Sequence, residues 1–105
     1  MVSVRTCELI ELPPKVVQAA GVGWGVTVDA YLLNAARVRD RFTALVYCDL
    51  SGISSNGMTV VTPEVRVVEQ KGGYTLVRSL SGMDHYVIVS AMPDNAGSLV
   101  LPLFV

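Results

Sequence analysis

The chain has 105 residues, 51% of them hydrophobic and only 16% charged, with a net charge of −1 at neutral pH. That length suits one domain with its own core and excludes two, and the charge balance excludes a general attraction to nucleic acid or acidic membranes. Charged residues make up roughly a quarter of an ordinary soluble domain, so apolar surface is left over here, and a homodimer or a protein partner is expected to cover it.

Taken in chain order, Val2 to Leu12 alternates well enough to predict a first strand, with a bulge before Leu9. Pro13 and Pro14 end it. The second proline suits the first turn of a short helix over residues 14–20, where its missing N–H has no partner to lose. Gly21 is placed to stop that helix in a left-handed conformation.

Two periodicities compete from Val22 to Cys48. As a helix over residues 28–38, Val28, Tyr31, Leu32, Ala35 and Val38 share a face at the 3.6-residue period, with Leu33 in violation. As strands, Val22, Trp24, Val26, Val28, Ala30 and Leu32 share one face, and Val38, Phe42, Ala44, Val46 and Cys48 share another. The strand pattern is longer. It predicts a hairpin with a loop at Asn34-Ala35-Ala36, pairing Leu32 with Val38 and Val28 with Phe42.

Asp49 to Asn56 is rich in Ser, Gly and Asn and reads as a surface loop. Pro63 interrupts Val60 to Val68, which predicts an edge strand or two strands separated by a bend. From there to Ser90 the chain reads as an antiparallel meander, with β-branched runs punctuated by Gly72-Gly73 and by Leu80-Ser81-Gly82. Met92 to Gly97 is a turn cluster. The apolar tail beyond it, with Leu99, Leu101, Leu103 and Phe104, is expected to close the sheet or form an interface with another subunit. The fold class predicted is therefore mainly β: a bent antiparallel sheet or small open barrel of five to seven strands with one short helix.

The chemistry-bearing residues are few. His85 is the single histidine, and Asp84, Ser79, Ser81 and Tyr86 lie near it in sequence, but neighbours on a strand point to opposite faces and do not make a triad. Cys7 and Cys48 match neither a zinc spacing nor a Cys-x-x-Cys redox pair, and they read as two buried thiols, with a disulfide between neighbouring strands as the alternative. No metal or cofactor is expected. The segment Gly21-Val22-Gly23-Trp24-Gly25 looks like a phosphate-cradling loop, yet it follows a helix and lacks the Gly-Lys-Ser/Thr ending, so it reads as a glycine-containing strand start around a core Trp24.

Arg37, Arg39 and Arg41 are the most suggestive polar feature. On one strand they project from one face about 7 Å apart, which suits an acidic protein surface or, less well, successive phosphates. Tyr31 and Tyr47 are candidates for the same partner-binding surface. No run of about 18 apolar residues suggests a membrane span, and Glu8 and Glu11 interrupt the stretch where a signal peptide needs its apolar segment, so a cytosolic protein is expected.

The Gly/Ser-rich loop from Asp49 running into Gly57-Met58-Thr59-Val60-Val61-Thr62-Pro63 resembles small β-rich accessory proteins of bacteria and their phages, including phage inhibitors of host defence. The resemblance covers under a quarter of the chain and carries no catalytic residue. With the missing catalytic set, it implies a non-enzymatic protein-interaction module, with a small nucleic-acid-binding β-barrel as the alternative and a small enzyme third.

Overall fold

The computed structural model describes residues 12–92; the expected strand before Leu12 and the expected interface residues Leu99, Leu101, Leu103 and Phe104 lie outside them. One helix, α1 (Pro14–Ala20), precedes six strands: β1 (Ala30–Val38), β2 (Arg41–Tyr47), β3 (Thr59–Val61), β4 (Val65–Lys71), β5 (Tyr74–Ser79) and β6 (His85–Ile88). They form a single mixed sheet in the order β3-β2-β1-β6-β5-β4. The domain is mainly β with one short helix, as the sequence predicts, but the sheet is not purely antiparallel, because β6 runs parallel to β1.

Sequence order makes this sheet curl. Its two edge strands, β3 and β4, are consecutive in the chain and joined only by Thr62, Pro63 and Glu64. Four residue steps reach at most about 14 Å, whereas the edges of a flat six-stranded sheet stand about 24 Å apart. The sheet must bend to bring them together. Val65 N–H donates to the Asp40 carbonyl at 2.8 Å and Thr62 N–H to the Phe42 carbonyl at 2.8 Å, tying the connector to the β1–β2 hairpin. The sheet stays open and is not a closed barrel.

Each face of the sheet has its own core. Inside the curl, Ala30, Leu32, Ala35, Ala44, Val46, Val77 and Ile88 pack with Val65 from the far edge, flanked by Phe42, Val60 and Tyr86. Three of these are alanines, which lets strands approach across the tight interior. Outside the curl, Tyr31, Leu76, Val87 and Val89 pack against Val16 and Ala19 of α1 and against Trp24. Lys71 holds the Trp24 loop in place, with its Nζ 5.1 Å from the indole centroid and donating to the Gly23 carbonyl at 2.8 Å.

The hairpin at Val22 to Cys48 forms, and the helix alternative over residues 28–38 does not. Its turn, however, is Arg39–Asp40 and not Asn34-Ala35-Ala36, so Leu32 pairs with Val46 and Val38 with Arg41. The chain does depart from regularity at Asn34, which takes φ 55°, but as a bulge: Asn34 and Ala35 together oppose Ala44. The bulge is held by the chain after β6, with Asn34 N–H donating to Ser90 Oγ at 3.0 Å and Ala35 N–H to the Ser90 carbonyl at 2.9 Å.

Other boundaries also differ from expectation. Val22 to Asp29 is not strand. Gly23 and Gly25 weaken it, and Val22, Trp24 and Val28 pack in the helix-side core instead of entering the ladder, while Val26 is exposed. Gly21 ends α1 in a right-handed conformation, φ −83°, while Gly25 carries the positive φ of 77°. The meander matches closely, since Gly72 and Gly73 both take positive φ, as a two-residue turn between right-twisted strands requires.

Cys48 is disulfide-bonded, which corrects the reading of two free thiols. Cys7, the chain's other cysteine, lies outside the described residues.

Candidate functional site

The arginine row does not survive the true position of the turn. Arg37 sits opposite Phe42 and Arg41 opposite Val38, so they project from opposite faces of the hairpin, while Arg39 lies in the turn. Arg37 is spent locally, its Nε donating to the Arg39 carbonyl at 2.7 Å and its Nη2 standing 3.9 Å from Asp40. Arg41 Nη1 donates to the Thr62 carbonyl at 3.3 Å. Tyr31 is only 8% exposed and belongs to the helix-side core, with its cross-strand partner Tyr47 half-buried beside it.

What the topology brings together instead is a set of carboxylates. Because β1 is antiparallel to β2 and parallel to β6, the start of β1, the end of β2 and the start of β6 lie at one end of the sheet. The residues flanking those strand ends include Asp29, Asp49 and Asp84. They line a cavity of about 260 Å³ at the mouth of the curl, together with Tyr86, Ile53, Val61 and Pro63.

Each carboxylate is positioned by backbone. Asp29 joins three segments: its N–H donates to the His85 carbonyl at 2.8 Å, its Oδ2 accepts His85 N–H at 2.8 Å, and its carbonyl accepts Leu50 N–H at 2.8 Å. Asp49 organises the following loop, accepting from Ser51 N–H, Ser51 Oγ and Ser54 N–H at 2.8 to 3.0 Å. Asp84 is fixed through its main chain, whose N–H donates to the buried Ser79 Oγ at 3.1 Å and whose carbonyl accepts Ser79 N–H at 2.9 Å.

The electrostatics follow from this placement. Burial pushes the Asp49 carboxyl up, but the hydrogen bonds from Ser51 and Ser54 outweigh it and hold the group below its ordinary value. The Tyr86 phenol is pushed up to about 12, first by burial and then by the charges of Asp84, Asp29 and Asp49. It therefore stays protonated at neutral pH amid three negative charges. None of the three joins an ion pair among the described residues, where the pairs are Arg37–Asp40 and Lys71–Glu69.

Such a mouth attracts an ammonium or guanidinium group and offers its alkyl stem an apolar wall. Among the described residues no three acidic, histidine or cysteine side chains are grouped closely enough to hold a metal ion. His85 lies elsewhere, facing Arg78 on the outer side of the sheet, while Ser79 points to the opposite face. A second, shallower hollow of about 500 Å³ lies along Val22 to Val28 with Tyr31 and Leu50. The Trp24 Nε1 beside it is buried without a hydrogen-bond partner.

In the sequence Asp84 stands out only as a neighbour of His85, and Asp29 and Asp49 read as ordinary strand flanks. The signal that exists is positional: each sits within two residues of a strand end, and only the parallel β1–β6 pairing makes those ends coincide. No protein-family model, curated protein or solved structure matches the chain. Among the described residues, no helix is long and apolar enough to cross a membrane.

Proposed function

We propose that the protein is a non-enzymatic protein-interaction module, acting as a small accessory or inhibitor protein, and that it grips a basic side chain on an apolar stretch of its partner. The observation that carries this reading is the convergence of Asp29, Asp49 and Asp84 on Tyr86, at a mouth whose rim residue Ile53 is 86% exposed. An exposed isoleucine beside three carboxylates that form no ion pair among the described residues is complementary to an arginine or lysine flanked by apolar residues. The alternative of a nucleic-acid-binding barrel loses its geometric support once the three arginines are divided between two faces and a turn. A second copy of the chain is the competing occupant, favoured by the exposed Ile53, Val61 and Met83, and light scattering separates it from a foreign partner. The disulfide at Cys48 supports an oxidising setting over the cytosolic one suggested by composition.

The test is an NMR titration with a short apolar peptide bearing one arginine, run beside its citrulline twin. Shifts at Tyr86, Ile53 and Asp84 for the arginine peptide, lost with citrulline and in Asp84→Lys, are the expected result. Equal binding of the two peptides, or shifts elsewhere on the sheet, would sink the proposal.

A further inference from the structure

Arg66 and Arg78 stand directly opposite each other in the β4–β5 ladder, and Arg78 stands opposite His85 in the β5–β6 ladder. Directly opposed residues share a face with Cβ atoms about 5 Å apart, so the three form a row across the last three strands of the sheet. The row is in phase with Leu76 and Val87 and so lies on the outer, helix-side face. Like charges placed opposite each other destabilise a ladder, and no ion pair among the described residues offsets this one. Both arginines are exposed and neither joins an ion pair among the described residues.

The two ends of the row differ. At the His85 end, Asp29 Oδ2 already accepts the His85 N–H. At the Arg66 end the sheet stops, because β4 is its last strand. Val65 N–H turns outward to the Asp40 carbonyl, and beyond it no described strand pairs with the outer edge of β4. The edge exposes Val67 and Val68.

From this juxtaposition we infer a second docking surface, separate from the mouth: an extended segment of a protein partner adds to the β4 edge and sets a carboxylate beside Arg66 and Arg78. Strand addition gains main-chain hydrogen bonds whatever the added sequence, so selectivity comes from side chains. The paired guanidinium groups supply it, since their planar forks take a carboxylate through two parallel hydrogen bonds. A residue opposite Arg66 on an added strand sits one strand spacing away, about 4.8 Å, and continues the row with the opposite charge. The bulge between Val67 and Glu69 breaks the edge and keeps the added ladder short. An uncharged strand then gains too little to bind, which is how bulged edges resist indiscriminate pairing.

The experiment is an NMR titration of the full chain with a hexapeptide alternating valine and threonine around one central glutamate, beside twins carrying glutamine or lysine there. The glutamate peptide is expected to shift the amides of β4 and to bind about tenfold tighter than the glutamine twin. Arg78→Gln should erase that preference, and Arg66→Glu should turn it toward the lysine twin without lowering the melting temperature, because it replaces a repulsion by an ion pair. Equal binding of the glutamate and glutamine peptides overturns the inference. So do shifts confined to the mouth, or binding of inorganic phosphate or a single-stranded oligonucleotide with no response to any peptide.

Discussion

Replacing Thr62 by valine tests whether the curl of the sheet is held at the connector between its edges. Thr62 is 3% exposed, and its Oγ1 accepts the Phe42 N–H at 3.0 Å while donating to the Pro63 carbonyl at 2.7 Å. Valine keeps the shape and removes the hydroxyl. The Phe42 N–H then has no acceptor in a partly buried position, at a cost of about 1–3 kcal/mol, while the Pro63 carbonyl loses little because Pro63 is exposed. The added methyl returns about 0.8 kcal/mol. The net loss is about 0.2–2.2 kcal/mol, or up to roughly 15 °C in melting temperature for a domain of this size. Differential scanning calorimetry reads the stability, and hydrogen exchange of the Phe42 amide reads the cause. Thr62→Ser also loses a buried methyl but keeps the acceptor, so it should leave that amide protected. A Thr62→Val protein that melts within 2 °C of wild type with an unchanged Phe42 exchange rate would refute the idea that this hydroxyl secures the curl.

Three further outcomes are expected. Arg39 holds φ 59° in a two-residue turn; glycine there relieves about 1–2 kcal/mol of left-handed strain and returns about 0.5–1 kcal/mol as unfolded-chain entropy, so Arg39→Gly should raise the melting temperature by a few degrees while Arg39→Ala does not. The Tyr86 phenol should titrate near pH 12 by NMR, and Asp84→Asn should move its midpoint down; an unmoved midpoint would show that the carboxylate does not act on the phenol. Asp49 has a folded pKa below its unfolded one, so the stability it contributes is present above the unfolded value, near 3.8, and is lost as pH falls through the folded one. The stability gap between wild type and Asp49→Asn should accordingly be wider at pH 7 than at pH 2.5, and a gap independent of pH would contradict the hydrogen-bonded carboxylate.

Legibility in this sequence follows the range of the forces involved. The meander and α1 were readable because their punctuation is local: Gly72 and Gly73 are chosen by the turn itself, and Pro14 by the first turn of a helix. The hairpin was readable in kind but not in register. Asn34 signals a left-handed residue whether the chain turns or merely bulges there, and the true turn is built from Arg39 and Asp40, which carry no glycine or asparagine. Val22 to Val28 alternates as a strand should, yet Val22, Trp24 and Val28 pack in the helix-side core without entering a ladder. The parallel contact of β1 with β6 has no local signature at all, and the acidic mouth exists only because of it.

The same topology that hid the sites also accounts for them. Joining both edge strands of the sheet through three residues forces the curl, and the curl creates an interior that alanines can fill but that stays open at the mouth. Parallel pairing of β6 with β1 then stacks two strand starts and one strand end at that mouth, so three separated aspartates share one field. On the outer face, the strict pairing of β4 with β5 brings Arg66 and Arg78, twelve positions apart in the chain, into direct opposition. Opposed arginines on an edge weaken the isolated domain, and such a placement is the kind to expect where another molecule completes a surface. At the mouth, Asp29 and Asp49 also serve the fold, by accepting the His85 N–H and the Ser51 and Ser54 N–H groups, while the shared field of the three aspartates raises the Tyr86 phenol. On the proposed reading, the acidic mouth receives a basic segment and the basic edge an acidic one, so a chain with nearly balanced charge presents two surfaces of opposite sign.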